Sequence, residues 1–165
     1  MENLDQVIFY KIETAIKSYR QFAQKSIRDA GYSMTIDQWL TIAHILENPD
    51  IKQQELADGV FKDSASVTRI IELLVKAKYL KRTVNKDDRR RTKLTVTPQG
   101  REVVAAVTEV VLRNRELALA GIEHDDLLVV DRFLKSMTDN CRANAEGETR
   151  DRVGGTKIKS AARDR

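Results

Sequence analysis

The sequence predicts a mainly α-helical fold of about six helices with one small two-stranded β-sheet, and three observations support this prediction. Apolar residues recur every three or four positions over most of the 165-residue chain, which is the period of an amphipathic helix. Between about residues 80 and 96 the period changes to two, as in a β-strand. With 41% apolar residues, the chain is large enough to fill one core.

The sequence before Asn48 predicts two helices. The first runs from Leu4 to Ile27, where apolar residues recur on one face. These residues are Leu4, Ile8, Ile12, Ile16, Tyr19 and Ala23. Gly31 is placed to end this helix. The second helix is predicted from about Ile36 to Leu46, because Thr35 and Gln38 have the spacing of a capping box.

A pair of short helices follows. The first is predicted over Gln53 to Asp58, and the second begins after the capping side chains offered by residues 63–66 and continues to about Ala77. Its apolar stripe consists of Val67, Ile70, Ile71, Leu74 and Val75. Thr68 and Arg69 face away from that stripe. Two consecutive short helices, the second with small polar and basic residues at its exposed start, are typical of a helix-turn-helix.

Two short strands are predicted on either side of a basic segment. Residues Leu80–Val84 and Thr92–Val96 alternate in character, and they flank Asn85–Arg91. A two-stranded ribbon is marginally stable alone, so it must pack on the helices. Thr97 and Pro98 then supply the N-cap and the first residue of a fifth helix.

The last two helices carry an apolar surface that a small domain cannot cover. The fifth is predicted to end near Leu119, and the sixth begins near Asp125 with an apolar stripe of heptad-like spacing. That stripe comprises Leu127, Val130, Leu134, Met137 and Cys141. A dimer interface is the natural use of this surface, together with the long first helix.

These elements predict one domain over residues 1–144 and a short tail. A lobe of about residues 35–97 contains the helix-turn-helix and the strands, and the helices of about residues 4–30 and 98–141 form a dimerisation region. Residues 145–165 are predicted to be a disordered basic tail, because they contain too few apolar residues to repay their ordering by burial.

Positive charge is concentrated in the middle of the chain. The net charge is +4 overall, whereas the stretch from Lys62 to Lys93 contains eleven Lys or Arg and four Asp or Glu, a net of +7. The remainder of the chain therefore carries −3. A basic region in an otherwise mildly acidic chain is expected of a surface that meets a polyanion. A solvated charged face is the alternative interpretation.

The helix pair and the cationic hairpin together predict a winged helix-turn-helix. In such a fold the second helix of the pair enters the major groove of DNA, and the hairpin reaches over the backbone or into the minor groove. The candidate DNA-contacting residues are Ser64, Ala65, Ser66, Thr68, Arg69, Lys86, Asp88, Arg89, Arg90, Arg91 and Lys93. Asp88 is expected to orient Arg90 through a bidentate pair, or else Asp87 and Asp88 only form a turn.

These residues resemble the MarR family of bacterial transcriptional regulators. The matching motifs are SVTRIIELL from Ser66, DRR from Asp88 and VTPQG from Val96. The resemblance covers about residues 4 to 141, and it implies a homodimer built from the terminal helices with a winged helix-turn-helix in each subunit. Lys78 stands where the family usually has the glycine that ends the recognition helix, and Val96 replaces the usual leucine. Lys78 must therefore take the left-handed conformation, or the helix ends differently.

Four residues of the first two helices are candidates for an effector pocket. Trp39, with Tyr10, Tyr19 and His44, is placed to line a small aromatic-ligand site between the dimerisation helices and the DNA-binding lobe. The resemblance implies such a site, since relatives commonly bind phenolic effectors there. The alternative is that all four are core residues.

Features of enzymes, metal sites and membrane proteins are not found in the sequence. The two histidines lie in no cluster of metal-ligand spacing, and there is no phosphate-binding glycine loop or catalytic triad context, so we expect neither catalysis nor a cofactor. The single cysteine, Cys141, excludes an intrachain disulfide; it is either part of the apolar stripe or a redox sensor, as the resemblance permits for some relatives. No leader segment or bilayer-spanning run appears, so a cytoplasmic protein is expected.

The sequence thus predicts a homodimeric transcriptional regulator, a repressor that binds double-stranded DNA at an inverted-repeat operator, with the small aromatic effector left as one of the two alternatives above. A rival hypothesis has the same winged-helix fold but a partner other than DNA. It is a dimeric winged-helix protein-interaction module whose basic face binds an acidic partner without reading DNA.

Overall fold

The computed structural model describes residues 3–84 and 92–155. Within these residues it contains one short 3-10 helix over Leu4–Gln6, six α-helices and one two-stranded sheet. The elements are α1 (Ile8–Asp29), α2 (Ile36–Glu47), α3 (Gln53–Gly59), α4 (Ser64–Lys76), β1 (Leu80–Val84), β2 (Thr92–Val96), α5 (Pro98–Ala118) and α6 (His124–Gly155). The predicted mainly α-helical fold with a two-stranded wing is confirmed. The chain divides into two compact units, the first ending at Ala118 and the second beginning at Leu119.

Helix α1 begins later than the sequence predicts. A single helix from Leu4 was expected, but the extended residue Val7 separates the first turn from α1. The Asn3 side chain accepts a hydrogen bond from the Asp5 backbone N at 3.1 Å, so the first turn is capped as a separate element. The end of α1 agrees with the prediction, because Gly31 has φ +86°, a conformation that L-residues rarely adopt.

The start of α2 has the predicted capping box. The Thr35 hydroxyl accepts from the Gln38 backbone N at 3.1 Å, and the Gln38 side chain accepts from the Thr35 backbone N at 2.9 Å. Gln24 of α1 adds a second clamp, since its amide donates to the Met34 carbonyl at 3.2 Å and accepts from Ile36 N at 3.0 Å. These bonds satisfy backbone groups at the start of α2 and attach it to α1.

Among residues 3–84 and 92–155, two residues other than glycine have left-handed backbones, and both lie at helix ends. Phe61, between α3 and α4, has φ +57°, and Lys62 N donates to the Ala57 carbonyl at 3.0 Å to complete the turn. The Phe61 side chain is 84% exposed. Lys78, after α4, has φ +62°. The lysine that departs from the family pattern therefore takes the conformation that glycine usually supplies.

The sheet is joined tightly to the start of α5. Strands β1 and β2 pair antiparallel with Leu80 opposite Val96. Directly after β2, Thr97 N donates to the Tyr79 carbonyl at 3.0 Å, and the Thr97 hydroxyl accepts from Gly100 N at 2.9 Å, as expected of an N-cap. A Cβ atom on Gly100 would stand 2.2 Å from the Tyr79 carbonyl oxygen. Only glycine fits at this crossing.

The core of the first unit lies between α2, α3, α4, α5, the sheet and the C-terminal part of α1. Its largest fully buried side chains are Ile27, Met34, Ile42, Leu56, Ile71, Leu74, Val60, Val67, Val107 and Thr41. The apolar stripe predicted for α4 supplies three of them, Val67, Ile71 and Leu74. Burying this stripe leaves the opposite face of α4 toward solvent.

The second unit contains α6, which continues to Gly155. Helix α6 therefore includes the first residues, 145–155, of the segment for which the sequence predicts a disordered tail, and the disorder itself stays a prediction. The predicted tail beyond, residues 156–165, lies outside the described residues. Within the stripe predicted for α6, Leu127, Leu134 and Met137 are half-buried, whereas Val130 and Cys141 are exposed.

Candidate nucleic-acid interface

The first turn of α4 is fixed by Asp63. Its carboxylate accepts from the Ser66 backbone N at 2.8 Å and from the Ser66 hydroxyl at 2.7 Å. The bond from the Ser66 backbone, and then the bond from its hydroxyl, lower the pKa of Asp63 below its ordinary value. Asp63 is therefore ionised at neutral pH, where it complements the helix dipole. Ser66, a predicted DNA contact, has its hydroxyl proton committed to this cap.

The hydroxyls of Ser64 and Thr68 are bonded to two glutamines of α3. Thr68 Oγ1 donates to the Ser64 carbonyl at 2.8 Å and accepts from Gln53 Nε2 at 2.6 Å. Ser64 Oγ donates to Gln54 Oε1 at 3.1 Å. Sequence reasoning missed both glutamines. The available signal was their place in the first turn of the first helix of the pair, which packs beside the start of the second.

Arg69 is an exposed cation in the N-terminal half of α4. The side chain is exposed, and it forms no hydrogen bond or ion pair with any residue that the structure describes. Ala65, one turn earlier, is also exposed and presents only a methyl group. The predicted residues Ser64, Ala65, Thr68 and Arg69 thus lie together on one helix whose opposite face is buried in the core.

The wing strand β2 carries the one predicted wing contact within the described residues, Lys93. Its ammonium donates to Asp50 Oδ1 at 2.8 Å, and both side chains remain well exposed. An exposed pair of this kind is weak and screened by salt, so Lys93 is available to a phosphate in exchange for Asp50. The other predicted wing contacts, Lys86, Asp88, Arg89, Arg90 and Arg91, lie outside the described residues.

Asp37 links the turn before α4 to the long helix α1. One oxygen of its carboxylate pairs with the Arg20 guanidinium, and the other lies 3.3 Å from Lys62 Nζ. Lys62 belongs to the turn between α3 and α4. The pairs are partly shielded, with Asp37 a quarter exposed. A single carboxylate at the start of α2 therefore connects three elements of the first unit.

The four predicted aromatic-ligand residues differ in burial and in hydrogen bonding. Trp39 is buried, and its Nε1 donates to the Thr108 hydroxyl of α5 at 3.0 Å. His44 Nε2 lies 3.1 Å from the Gly59 carbonyl oxygen at the end of α3. Tyr19 is half-buried and Tyr10 is exposed. Trp39 and His44 thus occupy structural positions, which supports the core-residue alternative for these two.

A cavity of about 570 Å³ lies instead between α1 and the start of α2. Its lining combines the apolar side chains of Ile16 and Ile36 with three cations and two carboxylates, namely Lys17, Arg20, Arg28, Glu13 and Asp37. None of the four predicted aromatic-ligand residues lines it. Over the described part of the chain no group of His, Cys, Asp or Glu is arranged to hold a metal ion, and no helix there has the length and apolar character to cross a membrane.

Comparisons with known proteins agree with this geometry. A family model described as the MarR family matches residues 32–91. A transcriptional regulatory protein for the hcr operon of Thauera aromatica is 29% identical over 99 residues, which span 60% of this chain and 58% of that protein. The named relatives are transcriptional regulators rather than enzymes, as the sequence predicts.

Solved structures agree as well. A MarR protein from Peptoclostridium difficile has a TM-score of 0.73 at 25% identity, covering 87% of this chain and 93% of that one. Bordetella bronchiseptica BpsR, whose DNA binding is regulated by 6-hydroxynicotinic acid, shares the fold with a TM-score of 0.75 at 19% identity, covering 84% of this chain and 98% of that one. The matched segment contains the helix-turn-helix and the first wing strand, and over this part the chain is similar to MarR-family regulators.

Proposed function

We propose that this protein is a sequence-specific transcriptional regulator, a repressor that binds double-stranded DNA as a homodimer on an inverted-repeat operator. The observation that carries the proposal is the exposed start of α4, where the Arg69 guanidinium has no partner among the described residues. A free guanidinium presents five donors in a planar fork and pairs with O6 and N7 of guanine in the major groove. The Asp63 cap fixes the backbone beneath it, so little entropy is lost on binding.

The wing is proposed to supply the second contact. Lys86 and the arginines Arg89, Arg90 and Arg91 would enter the minor groove, with Asp88 holding Arg90; these assignments rest on the sequence. Lys93 would contact a phosphate at the base of the wing, where its present partner Asp50 is weakly held.

Exposed apolar residues support the homodimer. Helix α1 exposes Ile8, Phe9, Tyr10, Ile16 and Phe22, and α6 exposes Leu128, Val129, Val130 and Phe133. Large apolar side chains exposed in such number on one helix are expected of a protein–protein interface. A twofold axis through such an interface would place two copies of α4 roughly 34 to 36 Å apart, which corresponds to half-sites about 10 bp apart. Sedimentation velocity tests this point, and Ile16→Glu should shift the protein toward monomer.

The cavity beside α1 is the proposed effector site. Its cations favour an aromatic ligand that carries a carboxylate, the class to which the BpsR ligand 6-hydroxynicotinic acid belongs. With that acid as the probe, thermal denaturation should show stabilisation of the wild-type protein and less stabilisation of Arg28→Gln. Lys25→Gln, on the same helix but not in the cavity lining, is the matched control.

The decisive experiment for DNA binding is a salt titration combined with a selected operator. Counterion release predicts that the logarithm of the affinity falls linearly with the logarithm of salt, with a slope of about −0.9 per phosphate neutralised. Arg69→Ala should weaken binding to the selected duplex by about 1 to 3 kcal/mol and binding to random duplex much less. The control Arg113→Ala removes an exposed arginine from α5, and it should change neither affinity.

The same measurements separate the rival function. A protein-interaction module whose basic face binds an acidic partner would yield no selected sequence and equal affinities for all duplexes. Equal losses from Arg69→Ala on selected and random DNA would reduce Arg69 to a phosphate contact.

A further inference from the structure

The donor capacity of the three hydroxyls on the exposed face of α4 is already used inside the protein. A hydroxyl has a single proton to donate. Ser66 donates its proton to Asp63 at 2.7 Å, Ser64 to Gln54 at 3.1 Å, and Thr68 to the Ser64 carbonyl at 2.8 Å. None of these side chains can therefore donate to a base edge without breaking a bond that the free protein makes.

Thr68 is the most constrained of the three. Besides donating to the Ser64 carbonyl, its oxygen accepts from Gln53 Nε2 at 2.6 Å. Both bonds direct the hydroxyl toward the protein, one to its own helix and one to α3. In a staggered rotamer the methyl group diverges from the hydroxyl by about 120°. The methyl is thus the group that Thr68 offers away from these two partners, on a side chain that remains partly exposed.

A methyl group that faces the major groove has one complementary feature there, the 5-methyl group of thymine. We propose that Thr68 reads a thymine through this methyl–methyl contact and that Gln53 is the positioning residue that holds Thr68 in the required rotamer. The inference rests on the proposed function, because it assumes that α4 lies in the major groove. Thr68 would thus recognise a base through its methyl group, whereas threonine in a recognition helix is usually expected to hydrogen-bond a base through its hydroxyl.

The test replaces single thymines of a selected operator half-site by deoxyuridine, which lacks only the 5-methyl group. Burial of one methyl group corresponds to about 0.8 kcal/mol, so affinity should fall about fourfold at one position. Thr68→Val loses the bond to Gln53, but its branched side chain has one strongly preferred rotamer in a helix, and methyl groups occupy both γ positions, so it should retain the thymine preference. Thr68→Ser keeps the hydroxyl and should bind the thymine and deoxyuridine duplexes equally well.

Gln53 is tested with a neighbour as control. Gln53→Ala should reduce the thymine preference at the same position, whereas Gln54→Ala, which releases Ser64 and not Thr68, should leave it unchanged. Circular dichroism melting curves for every variant separate loss of fold from loss of recognition. A purely structural role of Gln53 would lower affinity for both duplexes by the same factor.

Four outcomes would overturn the inference while leaving the proposed function standing. They are a selected half-site without thymine, insensitivity to deoxyuridine at every position, full discrimination by Thr68→Ser, and loss of discrimination by Thr68→Val. Failure to select any sequence with salt-dependent affinity would overturn the proposed function itself, and the assignment of Thr68 with it.

Discussion

Replacement of Gly100 by alanine should destabilise the protein although alanine is the better helix former. Gly100 lies in the first turn of α5, and an added Cβ atom would stand 2.2 Å from the Tyr79 carbonyl oxygen. Cβ atoms essentially never approach other atoms closer than 3.0 Å, so α5 and the Tyr79 backbone must separate by at least 0.8 Å. The close atom belongs to the backbone, which cannot relieve the contact by changing a side-chain rotamer.

The magnitude follows from what that separation breaks. The Tyr79 oxygen accepts from Thr97 N at 3.0 Å, and this bond would lengthen beyond hydrogen-bonding distance. Loss of such a bond costs about 1 kcal/mol, and overpacking at a rigid contact costs about 1 to 3 kcal/mol. The gain in helix propensity from glycine to alanine is about 1 kcal/mol and acts in the opposite direction. A net loss of about 1 to 3 kcal/mol remains, which lowers Tm by roughly 2 to 12 °C for a chain of this size.

Urea denaturation followed through the fluorescence of Trp39, the single tryptophan, measures this loss. Protein concentration must be held fixed, because dimerisation would contribute to stability. Gln99→Ala, an exposed neighbour in the same turn, is the control and should change stability by less than about 0.5 kcal/mol. A Gly100→Ala protein as stable as the wild type would refute the reasoning, since it would show that the sheet and α5 move apart freely.

Three further predictions concern the turns and the charged groups. Phe61→Gly and Lys78→Gly should each raise stability by about 0.5 to 1 kcal/mol in thermal denaturation, because relief of a left-handed backbone outweighs the greater entropy of unfolded glycine; a loss in both would contradict this. Asp50→Asn removes the carboxylate that competes for Lys93 and should raise affinity for random duplex, whereas Lys93→Gln should lower that affinity and reduce the salt slope by about 0.9; an unchanged slope in Lys93→Gln would exclude Lys93 from phosphate contact. The pKa of Asp63 is lower in the folded protein than its ordinary value of 3.8, so the ionised cap stabilises α4 fully above pH 3.8, and this stabilisation is lost as the pH falls through the folded pKa. The stability difference between wild type and Asp63→Ala should therefore shrink below about pH 3.8. A difference that is constant with pH would contradict this prediction.

Where helices begin was predictable because the determinants are local. The capping box of Thr35 and Gln38 and the cap of Thr97 before Pro98 are formed by residues within a few positions of each other, so the sequence carries the whole interaction. The break at Val7 was not predictable from periodicity, since the apolar spacing continues through it. The break depends on the Asn3 side chain, whose hydrogen bond from the Asp5 backbone N favours a separate first turn over a continuous helix.

The contents of the site were predictable in part. The sequence places Thr68 and Arg69 on the exposed face of α4, because the apolar stripe on the same helix leaves no other arrangement. It does not show that Gln53 bonds Thr68 across fifteen positions, since that contact depends on how α3 packs on α4. The partners of Trp39 and His44 were not predictable for the same reason: the two residues share a helix, but they are bonded to different elements, α5 and the end of α3.

Arg20, Asp37 and Lys62 form a link through which the proposed effector site can influence the proposed DNA-reading helix. Arg20 and Asp37 line the cavity, and Asp37 also holds Lys62, in the turn directly before α4. An anion bound in the cavity would compete with Asp37 for Arg20, and the freed carboxylate would then pair with Lys62 alone. Partly exposed ion pairs are worth about 1 kcal/mol or less, whereas allosteric coupling is typically about 1 to 3 kcal/mol. The link is therefore weak enough for a ligand to break, and by itself it can transmit only the lower end of that range.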